Sequence, residues 1–176
     1  MGSENAPAAD GFDINGPKVR KLRGQISNPW VLRAFMSGKL PAALFCGLRV
    51  DELDERVCRV SVPYGWRTTN PFKSMYFAVQ AMAAEMSTGA LGMCVVNAAP
   101  APVSMLIVGM DASFSKKVSS RATFHCDAGE AMAAAVQKTL ETGESVKVTA
   151  LSVGTDEAGD EVARFNFTWS FKRKSR

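Results

Sequence analysis

The sequence predicts an α+β fold in which a curved antiparallel sheet wraps one long central helix. Three observations carry this expectation. Residues 74–91 hold 12 apolar side chains out of 18, spread all round a helical wheel, and a helix apolar on every side is buried on every side. The predicted strands come in pairs joined by turns, which makes neighbours antiparallel. The last predicted strand alternates Phe165, Phe167, Trp169 and Phe171 with Arg164, Asn166, Thr168 and Ser170, the period-two signature of a half-buried strand.

The elements follow in order. Residues 1–16, rich in Ala, Pro, Asn and acids, read as disordered, and residues 1–24 as a loosely ordered flank. Asn28-Pro29 is an N-cap followed by proline at the first helical position. Trp30, Val31, Leu32, Phe35 and Met36 give that helix an apolar side, and Gly38 with Pro41 stops it. Strands are expected at about 44–52 and 55–62. Between them Asp51, Glu52, Asp54 and Glu55 mark a turn. The central helix spans Ser74 to Leu91. Its alanines let a sheet approach the axis closely. A strand from Val103 to Ser115 is apolar in both phases as far as Met110, as a central strand would be. Residues 119–126 alternate. Asp127 and Glu130 have capping-box spacing before a helix whose face is Met132, Val136 and Leu140, closed by Gly143. Val146 to Val153 is a strand, and Gly154, Asp156 and Gly159 turn the chain into the last one.

Composition narrows the function classes. The 176 residues suit one domain, and a domain of this size buries roughly 70% of the surface of its unfolded chain. No run approaches the ~20 consecutive apolar residues of a membrane span. Met1 to Gly11 lacks the apolar stretch of a secretory signal, and Ala6 stands where N-myristoylation prefers Ser or Thr after Gly2. The net charge of +4 is concentrated in the ends. Residues 172–176 carry four basic side chains, whereas residues 24–171 carry 13 basic and 14 acidic ones. Nucleic-acid binding would call for a basic stripe on the folded surface, so none is expected. Cys46, Cys58, Cys94 and Cys126 form no CxxC pair, and His125 is the only histidine. A metal site is therefore not expected. Cys58 and Cys126 fall on the apolar phase of strands, which predicts buried free thiols and a reducing, cytoplasmic setting. His125 falls on the polar phase, away from Cys126.

The run Pro63-Tyr64-Gly65-Trp66-Arg67-Thr68-Thr69-Asn70-Pro71-Phe72-Lys73-Ser74-Met75-Tyr76-Phe77, followed by Ala83-Ala84-Glu85-Met86-Ser87-Thr88-Gly89, resembles the hotdog-fold thioesterase superfamily. It is closest to the DUF4442 branch, near the phenylacetyl-CoA-type thioesterases. The resemblance covers roughly residues 25–172, followed by a basic tail at 173–176. It implies homodimers, or dimers of dimers, in which sheets join edge to edge. It also implies acyl-CoA or acyl-carrier thioester substrates, with coenzyme A as part of the substrate and no other cofactor. In the phenylacetyl-CoA-type pattern an Asn precedes a His-Gly-Gly run and an acid follows on the central helix. Asn70 and Glu85 fill the first and last of these places, while Tyr76 and Phe77 stand where the pattern has His-Gly.

Thioester hydrolysis needs an activated water and donors aimed at the developing oxyanion. Glu85 is the only acid between Glu55 and Asp111. It sits in the helix expected to be buried, where desolvation raises a carboxyl pKa towards the range of a general base. Asn70 is its expected helper, although Asn70-Pro71 also reads as an ordinary N-cap and N1 pair. Backbone N–H groups near Ser74, Met75 and Tyr76, at the start of the helix, are the expected oxyanion donors. Thr88 lies three residues from Glu85 on the same face. Lys116, Lys117 and Arg121 form the expected phosphate-binding cluster. Met75, Met82, Met86 and Met93 would line an adaptable pocket. Three functions fit this pattern: an acyl-CoA thioesterase with Glu85 as base, a non-catalytic binder of acyl or other lipophilic ligands, and a structural dimerisation domain.

Overall fold

The computed structural model describes residues 12–174; the expected disorder of residues 1–11 lies outside them. The elements are α1 (Pro17–Ser27), α2 (Pro29–Lys39), α3 (Pro41–Cys46), β1 (Arg49–Leu53), β2 (Cys58–Val62), α4 (Phe77–Ala98), β3 (Val103–Phe114), β4 (Ala122–Cys126), α5 (Gly129–Thr142), β5 (Val146–Thr155) and β6 (Glu161–Arg173). The six strands form one antiparallel sheet in the order β1-β2-β4-β5-β6-β3.

That order explains α4. The chain leaves β2 near one edge and must reach β3 at the other, so the connection crosses the whole concave face. The 22-residue helix is about 33 Å long. It runs along β3, from Phe77, which shares a groove with Phe114 at one end of that strand, to Gly92, which lies against Met105 near the other. By length and composition α4 could cross a bilayer. Here it is the core instead, packed on by the sheet, α1 and α5, with 13 of its residues buried. It starts three residues later than the sequence suggests. The N–H groups of Ser74, Met75 and Tyr76 go to Asn70 Oδ1, Val118 O and Thr68 O instead, and these acceptors hold the segment in a turn. The buried face of β6 (Phe165, Phe167, Trp169, Phe171) closes the core from the far side.

The flank is more ordered than its composition implied. Residues 17–24 belong to α1, which lays Val19 and Ile26 into the core. Arg23 pins it there by donating to Ile14 O at 2.7 Å and pairing with Glu55 at 3.4 Å. The spacing Val19, Leu22, Ile26 after Pro17 is the helical signal that the surrounding charges hide. The expected strand at 44–52 begins only at Arg49. Pro41 opens a short helix and Gly47, at φ 78°, closes it, a backbone angle that favours glycine. At the other end Arg173 and Lys174 are folded. The Arg173 amide donates to Thr139 Oγ1 and that of Lys174 to Pro102 O.

Two local expectations fail for identifiable reasons. α5 has no side-chain cap, because Glu130 reaches Arg56 at 3.0 Å rather than back to Asp127. β3 is an edge strand, not a central one. Its inward phase beyond a bulge at Ile107–Gly109 pairs with Phe167, Phe165 and Ala163, yet Met110 and Phe114 are 54% and 49% exposed. Other features hold. Asn28 caps α2 by accepting from Trp30 N and Val31 N, Gly143 closes α5 in the left-handed region, and all four cysteines are free and buried.

Gly129 tests the joint between the β1–β2 turn and α5. A Cβ there would lie 2.1 Å from Glu55 O and 2.7 Å from Arg56 Cα, backbone that cannot step aside. Gly129→Ala is expected to cost about 3 kcal/mol, measured as a drop in the urea midpoint at unchanged m-value.

Candidate active site

A groove of about 600 Å³ lies between the turn before α4, the first turns of α4 and the β3–β4 connection. Asn70 builds the turn. Its Oδ1 accepts from Phe72 N at 2.9 Å and from both Ser74 N and Ser74 Oγ at 3.2 Å. Lys73 takes a left-handed backbone, φ 56°, to complete it. Asn70 is therefore not a helix N-cap. Its oxygen is spent on the loop, and its side-chain NH₂ has no protein acceptor among the described residues.

The groove collects Asn70, Ser74, Met75, Tyr76, Lys116 and Lys117 of the sequence-predicted set. It adds Phe77, Gln80, Phe114 and Val118. Glu85, Thr88 and Arg121 lie outside it. The N–H groups of Ser74, Met75 and Tyr76 are taken by the turn, so they cannot receive an oxyanion. The next two, Phe77 N and Ala78 N, open α4 and have no acceptor among the described residues. A helix N-terminus points such donors, and its positive dipole end, at an anion. Gln80 is a residue that the pattern did not single out. It is 5% exposed; its Nε2 donates to Met75 O at 3.3 Å, and its Oε1 has no partner.

The basic cluster does not assemble. Lys116 is held by Asp156 at 2.7 Å and Asp160 at 2.6 Å. These carboxylates stand some 40 residues away, beyond the reach of sequence spacing. Arg121 turns towards Ser61 Oγ, 3.4 Å away. Lys117 alone remains unpaired at the groove.

Glu85 sits two turns further along α4, about 12 Å down the axis from Phe77. Its carboxylate folds back over Gly89. A Cβ on that glycine would lie 2.9 Å from Glu85 Oε1 and 3.6 Å from the Trp169 ring, so glycine is what leaves room for it. Among the described residues the carboxylate has no ion pair or hydrogen bond, and burial alone pushes its pKa up. Thr88 does not help it. The Thr88 hydroxyl donates to Glu85 O and accepts from Trp169 Nε1, both at 3.0 Å. It is fully buried, which makes it a strut between α4 and β6 and not a substrate contact. Among the described residues no group of acids, cysteines and histidine could hold a metal. A larger cavity, about 890 Å³, lies at the far end of β6, around Pro100–Pro102 and Lys172–Lys174, with no acid in its lining.

Residues 28–171 match the model of the family described as Domain of unknown function (DUF4442). No curated protein matches the chain. Three solved structures are similar to it. A Pseudomonas aeruginosa protein of unknown function, described as a probable thioesterase, has 20% identity and a TM-score of 0.71 over 86% of this chain and 100% of its own. A Chlorobaculum tepidum protein of unknown function has 14% identity and a TM-score of 0.70 over 86% and 99%. A Haemophilus influenzae thioesterase has 14% identity and a TM-score of 0.61 over 83% and 91%. Likeness at these identities shows the fold, and the fold is the hotdog of these proteins.

Two substitutions separate strut from acid. Thr88→Val leaves the buried Trp169 N–H without an acceptor and is expected to cost about 1–3 kcal/mol, read by urea unfolding. Glu85→Gln should act in the opposite direction. Folding raises the Glu85 pKa, so the native chain holds the proton more tightly than the unfolded one. The associated stability is complete below the ordinary glutamate pKa and is lost as pH rises through the raised value. At neutral pH, Glu85→Gln should therefore be more stable than wild type by about 1 kcal/mol. That is roughly 2–4 °C in Tm for a chain of this size. In acid the two melting curves should converge.

Proposed function

The chain belongs to the DUF4442 family, and from that premise we propose that it is a thioesterase-like hydrolase of acyl-CoA or acyl-carrier thioesters with Glu85 as general base. The observation that carries this reading is the Glu85 carboxylate itself. It is the only acid on a 22-residue core helix, no cation among the described residues pairs with it, and burial raises its pKa. A half-buried carboxylate without a structural partner is the expected state of a group that must take a proton near neutral pH.

In this reading Glu85 removes a proton from water as the oxygen attacks the thioester carbonyl. Phe77 N–H and Ala78 N–H receive the oxyanion. The C–S bond then breaks, and the thiolate leaves with the proton that Glu85 returns. The distance along α4 places Glu85 and these donors too far apart to serve one carbonyl within a single chain. A homodimer joined through the β3 edge would let the acid of one copy complete the groove of the other. The bare apolar side chains Met110 and Phe114 on that edge support such a pairing. Coenzyme A enters as part of the substrate. Lys117, the unpaired cation of the groove, is its proposed phosphate contact, with Asn70 NH₂ and Tyr76 flanking the acyl carbonyl.

A binding-only reading is favoured by one observation. Tyr76 and Phe77 replace the His-Gly of the pattern, and the N–H groups that precede them are used up by the turn. Turnover of a panel of acyl-CoAs discriminates the two. Wild type should hydrolyse at least one of them. Glu85→Gln should lose about 100-fold or more in kcat while remaining folded. The acid limb of kcat/KM should have its midpoint above the ordinary glutamate range, because only ionised Glu85 accepts the proton. Tight binding of acyl-CoA without turnover by wild type would instead establish the binding module, and equal turnover in both proteins would remove Glu85 from the reaction.

A further inference from the structure

Helix α2 breaks the usual rule for a surface helix. It buries Leu32 and Met36, and the opposite side should be polar. Instead that side carries Trp30, Val31, Ala34, Phe35 and Gly38, all exposed. Trp30 is 79% and Phe35 46% exposed. The other long surface helices obey the rule. α5 turns Glu130, Lys138 and Glu141 outward, and α1 turns out Lys18, Arg20, Lys21 and Gln25.

The charges on the helices that carry this stripe are of one sign, although Asp51 and Glu52 follow directly on β1. From residue 14 to residue 50 the chain has seven basic side chains and no acidic one. Elsewhere in the fold Arg56, Arg59, Lys116 and Arg164 meet carboxylates, while other cations, Lys117 among them, do not. Within the α1–α3 segment only Arg23 has such a partner; Arg33, Lys39 and Arg49 have none among the described residues. Between α2 and β1 runs a groove of about 320 Å³. Leu32, Met36, Leu48 and Val50 supply its apolar side chains, and Trp30, Arg33 and Arg49 stand around them. An apolar floor rimmed by two unpaired guanidinium groups fits an amphiphile with an anionic head.

We propose that the α2 face is a docking surface for an anionic lipid bilayer, with Trp30, Val31 and Phe35 entering the headgroup–acyl boundary and Arg33, Lys39 and Arg49 meeting lipid phosphates. An aromatic and aliphatic stripe flanked by Lys and Arg is the pattern of a helix lying in the plane of an interface, and each basic residue at an anionic surface adds to the attraction. The charges are spread over α1, α2 and the start of β1 and do not converge on one point, which matches an extended anionic plane better than a single protein epitope. The surface lies beside β1, at the edge of the sheet opposite β3, so it is free whether or not β3 is paired. It does not depend on the thioesterase reading.

The test is co-sedimentation of the full chain with phosphatidylcholine vesicles, with and without phosphatidylglycerol, at low and high salt. Wild type should pellet with the anionic vesicles, much less with the neutral ones, and less as salt rises. Arg33→Gln with Arg49→Gln should weaken anionic binding by roughly 30-fold, about fivefold per charge. Trp30→Ser with Phe35→Ser should abolish it. All four side chains are exposed or at a groove rim, so thermal melts of both double variants should match wild type. Wild type remaining in the supernatant with anionic vesicles at low salt overturns the proposal. So does equal pelleting by the variants, or a change of oligomeric state in Trp30→Ser with Phe35→Ser without vesicles, which would make the stripe a contact between copies.

Discussion

Helix α4 offers water no polar face, and the rest of the fold is arranged around that deficiency. Two of its buried hydroxyls are met by the strands that cover it. Ser87 meets Ser152 of β5 at 2.8 Å, and Thr88 meets Trp169 of β6 at 3.0 Å. Small residues set how close the cover can come. At Gly92 a Cβ would sit 2.4 Å from the Met105 methyl, so a side chain of β3 occupies the space that any other residue would fill. The polar pairs fix which strand lies over which turn of the helix, because a slip of one residue would reverse the faces and leave buried hydroxyl and indole groups unpaired.

Within that frame Glu85 is the one polar group of α4 whose charge is not compensated. The hydroxyls around it are engaged with each other and with Trp169, and none turns to the carboxylate. The site is thus divided. The groove at the head of α4 has donors and a cation without an acid, while the middle of α4 has an acid without donors. The division follows from the helix itself, because eight residues of α-helix separate the two halves by about 12 Å whatever the side chains do.

The fold was legible where pattern and burial coincide. The all-round apolar character of residues 74–91 predicted the wrapped helix, and the alternation through Phe171 predicted β6, because each is a local consequence of a buried face. Legibility failed where the deciding partner is distant. Lys116 is neutralised by Asp156 and Asp160. The N–H groups of Met75 and Tyr76 go to Val118 and Thr68, so the start of α4 shifts and the expected oxyanion donors vanish. Thr88 shares a face with Glu85, as its spacing says, but the indole of β6 claims its hydroxyl. A carboxylate at Glu85 could be read from sequence; that nothing neutralises it could not.

β3 shows a second limit of pattern reading. A strand apolar in both phases signals that both faces and neighbours are apolar, without saying whether the cover comes from the same chain. In this chain Leu106, Val108, Met110 and Phe114 are exposed, so the pattern that announced a central strand marks an edge left open. The stripe on α2 is also open, but its surroundings differ. Next to β3 stand Asp111, paired with Asn166, and Lys116, neutralised by two carboxylates. On α2 the charges are positive, and Arg33, Lys39 and the neighbouring Arg49 have no ion pair among the described residues, although Asp51 and Glu52 follow on β1. An apolar edge flanked by charges of both signs has no preference for one sign in whatever covers it. An apolar stripe left with uncompensated cations suits a partner that brings the missing negative charge. The two bare surfaces, at opposite ends of one sheet, therefore call for partners of different electrical character.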